Sequence, residues 1–137
     1  MTHATAPARR RTAVRLAAVA ALGACAGAWA QSGFSVVDGY RVDDRTYAGY
    51  RAWRSQNCGG CHGAEQQGLS GPALIDSLKR LSREDFERTV REGRPERRMP
   101  GFGHVAQVME QIDGLYVYLK GRADGVITRA QVEPINK

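Results

Sequence analysis

The sequence predicts an all-α domain of three to five helices whose core is completed by something beyond its own side chains. Three observations predict it. Apolar residues recur at helical spacing in separate stretches, and no strand-like alternation runs between them. The chain is also so short that a core built from its side chains alone would be marginal.

The first thirty of the 137 residues read as an export leader: a basic start (Arg9, Arg10, Arg11, Arg15), an apolar run from Leu16 to Ala28, then Ala28-Trp29-Ala30. That small-x-small ending predicts a signal peptide over 1–30, cleaved after Ala30, and a periplasmic mature protein. The run is short of the ~20 apolar residues that a membrane span needs, so no span is expected. Leu22-Gly23-Ala24-Cys25 also fits a bacterial lipobox, which would place a lipid anchor on Cys25; the alternative is a small apolar residue in a discarded segment. Cleavage leaves 107 residues and lowers the net charge from +6 to +2, because four arginines depart with the leader. No basic face then calls for nucleic acid.

Residues 31–46 show no sustained period and are expected to form an extended arm. Tyr47, Tyr50, Trp53 and Arg54 open a helix, capped by Asp43, Asp44 or Thr46, that runs into Cys58. Gly63 to Pro72 is loop. Leu74, Ile75, Leu78 and Leu81 give a brief helical face. Ser82 with Asp85 resembles a capping box for a helix from Arg83 to Glu92, with Phe86 and Val90 inward and Gly93 as its stop. Arg94 to Gly103 carries two prolines and two glycines and is irregular. Val105, Val108, Met109, Ile112, Leu115, Tyr116 and Leu119 mark the longest helix. Residues 122–137 are a polar tail expected to lie against the surface.

Cys58-Gly59-Gly60-Cys61-His62 is the Cys-x-x-Cys-His pattern of c-type haem attachment. Two cysteines three residues apart can reach both vinyl groups of one porphyrin, and the adjoining histidine falls beneath the iron. A disulfide or a thioredoxin-like pair is the rival, but the βαβ context of the latter is missing. Zinc lacks a second ligand pair.

From these residues outward the chain resembles the class I cytochrome c family over residues 47–121, the expected domain. Gly49 and Trp53 are similar to the family's first helix, where a glycine allows a close helix crossing. Gly71-Pro72-Ala73-Leu74 is similar to its Gly-Pro-x-Leu segment, which implies that the Pro72 carbonyl orients His62. Arg98-Met99-Pro100-Gly101-Phe102 resembles the Met-Pro loop and implies Met99 as the distal iron ligand, with His104 the rival and Met109 assigned to packing. Tyr118 matches the aromatic of the family's last helix. The resemblance implies a cytochrome c fold with one covalent haem c, held by Cys58 and Cys61 and ligated by His62 and Met99.

With both axial positions filled, no site remains for a substrate, so the expected function is electron transfer and not catalysis. Gly60, Ala64, Gln67 and Phe102 are expected around the haem edge. Arg91, Arg94, Arg97 and Arg98 would face a haem propionate, an acidic partner or solvent. Expected partners are an electron-donating dehydrogenase and a downstream oxidase or cytochrome. The ending Leu-Tyr-x-Tyr-Leu-Lys-x-Arg-x-Asp-Gly is similar to cytochromes that accept electrons from periplasmic PQQ-dependent alcohol dehydrogenases. The alternatives are a haem enzyme or ligand sensor with a labile distal ligand, and a haem subunit of a membrane-associated oxidoreductase complex.

Overall fold

The computed structural model describes Met1 and residues 34–137. The expected leader beyond Met1, with Cys25 and the expected cleavage point after Ala30, lies outside the described residues. The elements run β1 (Val36–Val37), β2 (Arg41–Val42), α1 (Asp44–Ser55), α2 (Gly59–His62), α3 (Leu74–Ser77), α4 (Arg83–Glu92), α5 (Ala106–Glu110), α6 (Ile112–Ala123) and β3 (Glu133–Pro134), with a 3-10 turn at Pro95–Arg97. No helix among the described residues is long and apolar enough to cross a membrane.

The fold is helical as expected, with a higher helix count and a small sheet in addition. The haem-attachment turn is itself a short helix, and the long last helix is two helices that meet at Gln111. Val108, Ile112, Leu115 and Leu119 keep one buried face across that junction. The apolar period therefore carries no mark of the break. Residues 34–46 are not simply an extended arm. Val36 pairs with Val42 and Val37 with Arg41 in an antiparallel hairpin. Asp38 and Gly39 both take left-handed backbone, with φ 54° and 75°, the turn conformation that Asp-Gly tolerates best.

The tail is also more than a surface covering. Its Glu133 and Pro134 lie parallel to Arg41 and Val42, which closes a three-stranded sheet of order β1-β2-β3. Ile127 and Val132 are buried in the main core with Val42, Leu78 and Tyr118. The two ends of the described chain thus fold onto each other beside the helices.

Helices α1 and α6 form the central crossing, and they meet glycine to glycine. A Cβ on Gly49 would stand 2.0 Å from the Gly114 carbonyl carbon, and one on Gly114 would stand 2.1 Å from Arg45 O. Only backbone faces backbone there. The ion pairs from Asp113 to Arg45 of α1 (2.7 Å) and to Arg83 of α4 tie the crossing at its solvent side.

The start of α1 depends on Asp43. Its carboxylate accepts from Thr46 N at 3.0 Å, from the Thr46 hydroxyl at 2.9 Å and from Ser35 N at 3.0 Å. Burial pushes its pKa up, but the hydrogen bonds from Ser35 and Thr46 and the charge of Arg45 outweigh it, so the carboxyl is held below the usual range. A lowered folded pKa gives stability that is fully present above the unfolded value of about 3.9 and is lost as pH falls through the folded value. Asp43→Ala removes the cap, worth ~1 kcal/mol, and leaves the buried Thr46 hydroxyl without an acceptor, worth ~1–3 kcal/mol more. Thermal unfolding at neutral pH is expected to show the loss, and the gap from the parent should shrink as the medium becomes strongly acidic.

Candidate haem site

The attachment motif follows directly from α1. The last turn of α1 ends at Ser55, Asn57 takes left-handed backbone (φ 51°), and Cys58 N returns to Trp53 O at 3.3 Å. The chain then winds through α2, which places Cys58 at one end and His62 at the other. Cys58 is half-buried and Cys61 exposed, and no disulfide joins them. Burial pushes the Cys58 thiol up to about 11.

His62 is buried, with the Trp53 ring centroid 6.3 Å from its own. Its Nδ1 lies 2.9 Å from Pro72 O. A carbonyl oxygen only accepts, so Nδ1 carries the proton and donates, and Nε2 keeps its lone pair for a metal ion. Gly71 is what lets the loop close on the ring: a Cβ there would come 3.0 Å from His62 Cε1 and 3.1 Å from Nδ1. Sequence reasoning placed Gly71 in the segment but not against the imidazole.

Cys58, Cys61, His62 and Pro72 form one cluster. Met99 belongs to a separate loop after α4 and makes no hydrogen bond with that cluster among the described residues. This loop is tightly built. Gly93 leaves α4 with φ 76°, and a Cβ there would strike Gly101 N at 2.4 Å and Met99 O at 2.6 Å. The returning chain donates Phe102 N to Val90 O and Gly103 N to Arg91 O, both at 2.9 Å, and so satisfies carbonyls that the end of α4 leaves open. Met99 and Arg94 pair through both backbone bonds, 2.8 and 3.1 Å, and Arg98 just before takes φ 60°. Met99 is half-buried. Met109 packs against the core, whereas His104 is exposed.

Of the residues expected at the haem edge, Gly60 and Ala64 line a surface cleft of about 400 Å³ with Trp53, Arg54 and Gln131. Gln67 is exposed and Phe102 half-buried outside that cleft. Arg91, Arg97 and Arg98 are exposed, and Arg94 donates to the Thr89 hydroxyl at 3.1 Å.

The residues present fit a covalent haem. Cys58 and Cys61 lead directly into a histidine that offers Nε2, and Leu74, Leu81, Phe102, Val105 and Tyr116 are among the half-buried apolar side chains packed against the core.

A helical fold that brings such a helix under a proline carbonyl defines a class, the c-type cytochromes. The chain belongs to this cytochrome c family: the family described as "Cytochrome C oxidase, cbb3-type, subunit III" matches residues 44–119. Cytochrome c-555 of Methylococcus capsulatus is 40% identical over 125 residues, covering 90% of this chain and 95% of that protein. The crystal structure of the c-type cytochrome XoxG from Methylobacterium extorquens AM1 is 42% identical and superposes with a TM-score of 0.66, over 76% of this chain and 67% of that one. The protein is an electron-transfer cytochrome with covalently bound haem c.

Proposed function

We propose that Cys58 and Cys61 form the two thioethers, that His62 and Met99 are the axial iron ligands, and that Pro72 orients His62. The observation that supports this reading best is the 2.9 Å bond between His62 Nδ1 and Pro72 O, which leaves the opposite nitrogen free to bind iron. Haem when bound supplies a one-electron couple. The chain's own residues hold its ligands: α2 sets the spacing of the two sulfurs and the imidazole, and the Gly93–Gly101 closure holds the Met99 loop in one shape. A thioether opposite an imidazole is a weak donor that favours ferrous iron and a raised potential.

With both axial sites filled, the protein catalyses no reaction on a small substrate of its own. It carries electrons in the periplasm from a dehydrogenase to a downstream oxidase or cytochrome. The ending Leu115-Tyr116-Val117-Tyr118-Leu119-Lys120-Gly121-Arg122-Ala123-Asp124-Gly125 supports a PQQ-dependent alcohol dehydrogenase as the donor. The family's description names an oxidase subunit, but the match to nearly the whole of cytochrome c-555 favours a separate carrier.

Protein matured in a periplasm is expected to keep haem stain on a denaturing gel, and its intact mass should equal the chain from Gln31 plus one haem. Cys58→Ala and Cys61→Ala should each leave a single thioether and sharply reduced stain, and the double variant none. Full extraction of the parent's haem into acidified organic solvent would overturn the covalent assignment. A lipid on Cys25 would overturn the cleavage after Ala30.

A further inference from the structure

The loop between His62 and Pro72 contains a side chain that neither the fold nor haem attachment accounts for. Gln66 is wholly buried in a segment otherwise made of small and exposed residues, and it takes left-handed backbone with φ 60°. A non-glycine residue in that region is strained and persists only where its surroundings hold it. Here they do. The carboxamide Nε2 donates to the Tyr118 hydroxyl at 3.1 Å and to Ala64 O at 3.2 Å, and Oε1 accepts from Arg122 Nε at 2.8 Å.

The main chain of the same residue spans the loop. Gln66 N donates to Gly63 O at 3.0 Å, and Gln66 O accepts from Leu74 N at 2.8 Å and Ile75 N at 3.3 Å. One end of the loop follows His62 directly, and the other begins just after Pro72. The partners of the carboxamide are themselves anchored, since the Tyr118 hydroxyl donates to Ala130 O at 2.6 Å and Arg122 Nη1 to Ile127 O at 3.0 Å. Burial pushes the Tyr118 hydroxyl far above its ordinary range, so it remains a neutral donor. A residue needed only to fill space could be leucine or methionine. The full set of bonds on this carboxamide specifies position.

We propose that Gln66 is a positioning residue for His62: clamped by Tyr118 and Arg122, it fixes the loop that presents the Pro72 carbonyl to His62 Nδ1, and so sets the basicity of the iron's imidazole ligand. The inference rests on the reading of His62 as axial ligand. A firm Nδ1–H bond makes the ring a stronger donor and favours ferric iron. Loosening the clamp weakens that bond and raises the potential. The segment 127–130, through Tyr118 and Arg122, becomes part of the tuning of a ligand more than fifty residues away.

The test uses the haem-loaded protein and two readouts, the reduction potential and the exchange rate of the His62 Nδ1 proton by NMR in the ferrous state. Gln66→Ala is expected to raise the ferrous-to-ferric ratio at fixed poise by up to about tenfold, about 59 mV for one electron, and to speed exchange at least tenfold. Arg122→Met keeps the Tyr118 bond and should move both readouts the same way by less. It also serves if Gln66→Ala fails to load haem. Asp43→Ala, which destabilises the far end of α1, should move neither. If both variants leave potential and exchange within the range of Asp43→Ala, the proposal fails while His62 ligation stands. If the parent's His62 ring protons lack the ring-current shifts of a haem ligand, the ligand reading fails first, and the proposal with it.

Discussion

Gly49→Val is expected to abolish accumulation of folded, haem-loaded protein. The new Cβ alone would stand 2.0 Å from Gly114 C and 2.2 Å from Leu115 N, well inside contact distance, and both atoms are backbone. A flexible side chain could swing aside, but a helix cannot. The α1–α6 crossing must open, and with it the packing of Tyr50 and Trp53 on Tyr118, whose ring centroids lie 5.3 and 6.5 Å away. Overpacking in cores costs ~1–3 kcal/mol where neighbours can give. Here none can, so a cost above ~4 kcal/mol is expected, against the ~5–15 kcal/mol that holds a typical domain folded. Gly114→Val should behave alike, because its Cβ would meet Arg45 O at 2.1 Å. Gly59→Ala is the control, with nothing nearer than 3.7 Å. The check is haem absorbance per unit of protein together with thermal unfolding: both valine variants should fail where Gly59→Ala folds.

Met99→Ala is expected to change function more than stability. On the proposed ligation it removes the weak sulfur donor and exposes a coordination position. The potential should fall on the order of 0.1 V, roughly fifty-fold in the ferrous-to-ferric equilibrium, within the ~0.8 V over which axial ligands set haem potentials. The loop itself should persist, since its closure rests on backbone bonds from Arg94 to Met99 and on Gly93 against Gly101. Met109→Leu should leave the potential unchanged, because Met109 packs against the core. Potentiometric titration of the three proteins separates these outcomes.

Local signals were legible in the sequence, and contacts between distant segments were not. Ser82 accepts from Asp85 N at 3.1 Å, Phe86 and Val90 are buried, and Gly93 ends α4 with left-handed backbone. Each of these is written within one turn of helix. Gly49 resembles the family's crossing point, but its partner Gly114 carries no such mark, because a lone glycine in an apolar helix gives no sign of what it meets sixty-five positions away. The strands are two residues long, below any period that alternation can reveal. The polar tail hid Ile127 and Val132, isolated apolar residues that only the folded chain buries together. Gln66 sits in a Gly- and Gln-rich loop of the sort that normally faces solvent, and its burial depends on Tyr118 and Arg122, which arrive from α6. In the site, the Cys-x-x-Cys-His turn declares its chemistry by spacing alone, while Gly71 against the imidazole and Arg94 against Met99 depend on where two loops fold.

The most direct test of the account is carbon monoxide binding by the ferrous parent at neutral pH, followed in its absorbance spectrum beside Met99→Ala. The parent is expected not to bind and to show a weak methionine-to-iron charge-transfer band in the far red of its ferric form, and the variant to bind readily and lack the band. A parent that binds carbon monoxide readily and shows no such band would contradict it, because its distal position would then be open or held by another group, and a ligand-binding haem protein would replace the electron carrier.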